Sequence, residues 1–394
     1  MAIFIDSQSH ERISKKKKSY KMYLKCALDT LFRDVRDNGF WNEKEGRIIC
    51  KLDYITKDGK WVPDENIEFR FAPFGLMGAL YWRYTNPHSH QNYDSNMERY
   101  LDFLVRNIQS NGKIHDNNSG GFEHGIVLAA LSLGSLVWSK LDLIKAEAYL
   151  QKAKTIYKFI LKNWPPNYIF NNHDLFILWG IDLLYEAEIT IGKPAEAQNI
   201  KNEISKYSNW MYTILDDNGL FQTGDFRASY HQRIMYPLWG FARAVKIINE
   251  KVYLQSIERC LDHVIKHRME WDGAFLWHPP VWIYKKKSIF KWRIGINPFR
   301  NYFFECHQTF FINAVEQYYY GGGKKNYLAD EIKALEWIFS TNRRGKNLVE
   351  ECGIGVPWRM MDKKGRINVR GQNFKGAYEV GSYIMALSDI VSNK

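Results

Sequence analysis

The chain lacks the cysteine pattern of a disulfide-stapled or zinc-held protein. Its five cysteines, Cys26, Cys50, Cys260, Cys306 and Cys352, are odd in number and include no CxxC pair. Reduced, mostly buried thiols are expected. No leader is visible either. Met1-Ala2-Ile3-Phe4-Ile5-Asp6 runs on to Lys15 to Lys18 with no apolar stretch behind basic residues, so no signal peptide is expected. That leaves the compartment open between the cytoplasm and a chain shorn of its leader. No run of about 18 apolar residues stands out, so no membrane span is expected. There is no Gly-rich phosphate loop, no HExxH helix and no recognised base-reading module. Neither cofactor, metal nor nucleic acid is expected as a partner. His263 and His267 stand four apart, as a metal pair would, but on a solvated amphipathic face.

What the chain has in plenty is aromatic surface and positive charge. Of its 394 residues 45% are hydrophobic and 15% aromatic, with 14 Trp and 24 Tyr. Such side chains suit both large cores and sugar-binding clefts. The formal net charge is +12 and the pI about 9.2. A field of that sign attracts polyanions without choosing among nucleic acid, anionic membranes and acidic polysaccharides.

The clearest structural message is a repeat. Polar-faced helices are predicted over 21–37, 96–109, 145–163, 195–215, 251–268 and 325–340. Leu254, Ile257, Leu261, Val264 and Ile265 fall on one stripe, as do Leu328, Ile332, Leu335 and Ile338. Each is followed by a more apolar helix, over about 69–85, 121–138, 171–189, 234–248, 301–319 and 375–392. Gly125 to Leu131 and Leu175 to Gly180 are apolar nearly all round, which marks helices buried on most sides. Between the members lie Asn38-Gly39, Asn111-Gly112, Asn218-Gly219 and Asp272-Gly273, each followed by an apolar step. These supply the positive φ of a tight reversal. Pro166-Asn167-Tyr168-Ile169 fills that slot in the third pair, and Lys364-Gly365-Arg366-Ile367 is the candidate for the sixth. Six such hairpins make an all-α (α/α)6 toroid, closed or incomplete, with residues 21–394 as one domain behind an N-terminal tail, 1–20. An open solenoid is the alternative, with shorter and more regular repeats. Oligomeric state is not legible.

Two insertions interrupt the repeat, 42–68 and 276–300. The second interleaves Trp277, Trp282, Tyr284 and Trp292 with Lys285 to Lys287, Lys291, Arg293 and Arg300, a mixture suited to an anionic chain or to a solvated loop with aromatic anchors. In a toroid the starts of the inner helices converge on one end of the funnel. That rim would gather Arg70, Glu123, His124, Asn171, Asn172, His173, Asp174, Arg227, Tyr230, His231, Glu305, His307, Tyr378 and Glu379. Trp239 and Tyr236 would line the same funnel. Any one of these would pass for a helix cap or a satisfied core histidine, but their convergence points to a binding or catalytic funnel.

Asn171-Asn172-His173 stands at the start of one inner helix. Arg227-Ala228-Ser229-Tyr230-His231-Gln232, then Ile234-Met235-Tyr236-Pro237-Leu238, opens the next. The two motifs resemble those of the alginate lyases and related toroid polysaccharide lyases, over some 20 residues. The resemblance implies β-elimination on a uronic acid polysaccharide without a cofactor. Asn172, with Arg227 or Arg233, would hold the carboxylate and stabilise the enolate-like charge. Neutral His173 would take the C5 proton. Tyr230 would protonate the leaving O4, with His231 orienting it. The family's acid tyrosine directly follows Tyr-His-Asn, where this chain has Arg233, so either Tyr230 or Tyr236 takes that part or the chemistry has changed. Hydrolysis by two carboxylates from Asp174, Asp225, Glu123, Glu305 and Glu379 is an alternative. So is epimerisation by His173, His231 and His307, or acidic-glycan binding without reaction.

Overall fold

The computed structural model describes residues 7–89, 92–115, 120–169, 171, 173–191, 194–222, 231–277, 302–367 and 373–393. Among these residues the outer helices are α1 (Ser7–Phe32), α3 (Asp94–Arg106), α5 (Leu143–Asn163), α7 (Pro194–Thr213), α9 (Val252–Arg268) and α11 (Leu328–Glu336). The inner helices are α2 (Phe71–Thr85), α4 (Gly121–Trp138), α6 (Ile177–Ile191), α8 (His231–Ile248), α10 (Glu305–Tyr320) and α13 (Ala377–Asn393). Between α11 and α13 comes α12 (Leu348–Cys352). Helix α1 begins at Ser7, within the expected tail, and Tyr20 is already buried, its hydroxyl donating to Glu336.

Amphipathicity sorts the two layers. On α9, Ile257, Leu261 and Val264 are buried and Leu254 and Ile265 half-buried, as their stripe predicts. Every residue of α4 is buried. This 18-residue helix is long and apolar enough to cross a membrane, against expectation. Its apolar character answers instead to the ring that surrounds it.

That ring is closed. Each inner helix packs on the next, α2 on α4, α4 on α6, α6 on α8, α8 on α10 and α10 on α13, and α13 returns to α2. The fold is an (α/α)6 toroid. Glycines let the backbones approach at its seams. A Cβ on Gly78 of α2 would lie 2.3 Å from the carbonyl oxygen of Gly381 on α13. Aromatic rings plug the lumen. Trp239 packs on Phe74, Phe176 and Phe310 with centroids 5.7–6.1 Å apart.

Four of the turns recur as the sequence predicts, while at the first it is Asn38 and not Gly39 that takes the positive φ, +61°. Gly112, Gly219, Gly273 and Gly365 have φ of +75° to +95°. Each turn is closed by a single antiparallel bridge: Ile108 with Ile114, Leu215 with Phe221, Met269 with Phe275 and Met361 with Ile367. The 42–68 insertion forms a small apron of strands: β1 (Trp41–Asn42), β2 (Arg47–Ile48), β3 (Lys51–Ile55) and β4 (Lys60–Asp64). Tyr302–Phe304 (β5) pairs with Met360–Asp362 (β6). Phe374–Gly376 (β7) adds to β3 and so ties the apron to the start of α13. Residues 278–300 lie outside the described residues, with most of the second insertion.

Candidate active site at the amino-terminal ends of the inner helices

A cavity of about 190 Å³ opens at one end of the ring. It is lined by Arg70, Phe71, Phe74, Phe122, His173, Gln232, Tyr236, Trp277, Arg359 and Tyr378. These side chains come from the starts of α2, α4, α8 and α13, from the turn before α6, and from the links before α10 and α13. The positive ends of helix dipoles gather there, and carboxylates already cap several of the N–H groups, Glu68 at Phe71 and Asp174 at Phe122.

Arg70 and Arg359 are the charged lining residues among those described. Each is fixed by one carboxylate behind it. Arg70 donates through Nε to Glu123 Oε1 at 2.6 Å and lies over the Phe122 ring. Glu123 also accepts from the Gly120 N–H at 2.8 Å, across the start of α4. Arg359 donates through Nε to Glu379 Oε1 at 2.6 Å and lies 3.9 Å from the centroid of Phe374. Behind Glu379, buried Lys375 pairs with Glu305, its Nζ 3.7 Å from Glu379 Oε2. Burial pushes the Glu305 carboxyl up to about 8.

The other wall carries an imidazole, a phenol and an amide. His173 is half-buried, its ring 5.3 Å from Phe122 and 5.6 Å from Tyr236, edge to face with the latter. Burial holds the Tyr236 phenol well above its ordinary pKa. Burial does the same to Tyr378, with help from neighbouring Glu379. Gln232 reaches back to Cys306 Sγ at 3.8 Å.

Of the expected site residues, the structure brings Arg70, His173, Tyr236 and Tyr378 to the cavity, with Glu123 directly behind Arg70 and Glu379 behind Arg359. Asn172, Arg227 and Tyr230 lie outside the described residues, as does the side chain of Arg233. His124, His231, Trp239, Glu305 and His307 do not line the cavity. They are fully or almost fully buried, and each has internal work. His124 places Nδ1 2.8 Å from the Gly120 carbonyl, and its Nε2 accepts from the Ile114 N–H. His307 instead turns its Nδ1 toward the Phe275 carbonyl, 3.5 Å away. Ile114 and Phe275 are the apolar steps after two of the repeated turns, so both histidines join a turn to the inner helix that follows. His231 Nε2 meets the His307 carbonyl at 3.0 Å, and burial pulls its pKa well below the ordinary value. Trp239 donates to the Phe310 carbonyl beneath the cavity floor.

Sequence reasoning passed over Phe71, Phe74, Phe122 and Arg359. Apolar residues at helix starts look like core and carry no separate signal.

Several solved structures share this architecture. A sugar epimerase from a ruminal bacterium superposes with a TM-score of 0.57 at 13% identity, covering 93% of this chain and 98% of its own. The unsaturated glucuronyl hydrolase of Bacillus sp. GL1 gives 0.57 at 12%, covering 95% and 96%. The GH76A α-1,6-mannanase of Salegentibacter sp. HEL1_6 gives 0.58 at 11%, covering 94% and 98%. No family model matches the sequence, and a search of curated proteins finds no match. At these identities the likeness establishes the toroid fold.

Proposed function

We propose that this protein is a carbohydrate-active enzyme that cleaves a uronic-acid-containing polysaccharide by β-elimination. The pairing of His173 and Tyr236, 5.6 Å between ring centroids, in a cavity whose described charged residues are arginines carries this reading. The toroid neighbours support the substrate class, being named for action on glucuronyl, mannan and other sugar substrates.

The chemistry follows from the wall charges. Arg70, held by Glu123, takes the uronate carboxylate. The C5 proton beside that carboxylate is weakly acidic, and neutral His173 removes it. Charge that builds on the carboxylate is stabilised by Arg70. The C5–H electron pair forms the C4–C5 double bond as the C4–O4 bond breaks. Tyr236 gives its proton to the departing O4. Burial keeps that phenol protonated, which suits an acid and not a base. Between the two candidate acids this reading takes Tyr236. Asn172 and Arg227 keep the carboxylate-binding part that the resemblance implies.

Two-carboxylate hydrolysis is the second reading, and the toroid neighbours named as hydrolases support it. Glu123 and Glu379 are the carboxylates just behind the lining, and each is engaged by an arginine of the wall. The test is absorbance against alginate, glucuronan, heparosan, hyaluronan and pectate. Elimination leaves a conjugated double bond that absorbs in the ultraviolet. A rise on one polymer supports the lyase and names its substrate. New reducing ends without absorbance would replace elimination by hydrolysis.

A further inference from the structure

We infer that Tyr378 is a specificity residue that reads a free hydroxyl on the sugar ring in the cavity, because its own proton is already spent inside the protein. The inference rests on the uronate reading above and deepens it.

Tyr378 lines the cavity between the two arginines, its ring 4.5 Å from Phe71. Its hydroxyl has two polar neighbours. One is Arg359 Nη2 at 3.3 Å. A guanidinium can only donate, so the phenol oxygen accepts there. The other is Glu379 Oε1 at 2.9 Å. That oxygen also accepts from Arg359 Nε at 2.6 Å, while Oε2 accepts from the Gly376 N–H at 3.1 Å. A carboxylate surrounded by donors accepts, so the phenol's single hydrogen points at Glu379. Lys375, 3.7 Å from Oε2 and fully buried, holds the carboxylate in this role.

Any further hydrogen bond at Tyr378 must therefore be one that it accepts. Toward a ligand it asks for a donor, and the donors on a uronic acid ring are its free hydroxyls. Tyr236 is placed differently, since among the described residues its hydroxyl has no hydrogen-bond partner and its proton stays available. The two phenols divide the work: Tyr236 donates and Tyr378 accepts. A ring deoxygenated or O-substituted at the position facing Tyr378 would leave that acceptor unmatched, and a site built for a hydroxyl discriminates against an analogue that lacks it.

Binding is the cleanest test, because it does not depend on turnover. The probes are methyl glycosides of glucuronic, mannuronic and galacturonic acid with their 2-deoxy and 3-deoxy counterparts, titrated calorimetrically into wild-type protein and Tyr378→Phe. Wild type should lose about tenfold in affinity for one deoxy analogue, the size of one neutral hydrogen bond. Tyr378→Phe should bind parent and analogue alike. A wild-type protein indifferent to both deoxy positions overturns the inference without needing the variant to fold. So does a variant that keeps the full deoxy penalty. If a polymer still yields ultraviolet absorbance in those cases, the lyase reading stands and only the role of Tyr378 falls. Absence of both binding and product across the panel overturns the two together.

Discussion

The rings of His173 and Tyr236 stand edge to face with centroids 5.6 Å apart, although 63 residues separate them in the chain. His173 ends the turn before α6, and Tyr236 lies one turn and a half into α8. The seam between those helices is tight: a Cβ on Gly240 would sit 2.5 Å from the backbone nitrogen of Trp179. Backbone packing thus fixes how far the two rings can stray.

If the pair does the proton transfers, His173→Ala and Tyr236→Phe should each lower kcat by about 100-fold or more, the usual weight of general acid–base catalysis. Tyr230→Phe should keep most of the activity. The measurement is ultraviolet absorbance on the responsive polymer, with circular dichroism to show an intact fold. A silent Tyr230→Phe beside an active Tyr236→Phe would move the acid to Tyr230.

The toroid was legible because its causes are local. Stripes such as Ile257, Leu261 and Val264 mark an outer helix, and Asx-Gly pairs mark four of the six reversals. The site was legible only by half. His173, Arg70 and Tyr378 were placed at the rim by their position in the repeat, and Tyr236 was named through the resemblance. The same logic swept in His124 and His307, whose imidazoles instead fasten turns at Ile114 and Phe275. Side-chain direction on a helix start decides between the two fates, and a residue letter does not carry it. Arg359 went unseen because its neighbours Phe374 and Glu379 are brought to it by β7 and α13, through tertiary pairing that no local pattern records.

Closure of the ring is testable at one atom. A methyl on Gly78 would lie 2.3 Å from the Gly381 carbonyl oxygen, so α2 and α13 must part to admit it. Gly78→Ala should cost about 1–3 kcal/mol, the range of overpacked cores. Urea denaturation reads the change as a lower midpoint. An unchanged midpoint would mean that the ring ends are not in contact in solution.

Asp182 offers a test with a defined pH sign. It is fully buried on α6, and among the described residues neither carboxylate oxygen has a hydrogen-bond partner. Burial raises its pKa well above the ordinary carboxylate value, against a partial counterpull from Arg243. In the unfolded chain it ionises near about 3.9. Above that pH the folded state keeps a proton that the unfolded state releases, so stability falls as pH rises toward the folded pKa. Asp182→Asn keeps the shape and removes that dependence. It should melt above wild type at pH 7 and match it near pH 4.

His231 has the opposite sign. Burial, then the neighbouring His307 and Arg268, pull its pKa well below the ordinary histidine value. The unfolded chain takes up a proton below about pH 6.5, while folded His231 stays neutral, with Nε2 beside the His307 carbonyl. Its contribution to stability is therefore complete above that pH and is lost as pH falls toward the folded value. The loss approaches about 1.4 kcal/mol per pH unit, the weight of one proton. His231→Gln retains an N–H donor for the carbonyl but cannot titrate. Thermal melts of wild type and variant between pH 7.5 and pH 5, with roughly even steps, should show a shallower acid slope in the variant. Equal slopes would mean that His231 takes up its proton in the folded state, and that the joint between α8 and α10 is open to water.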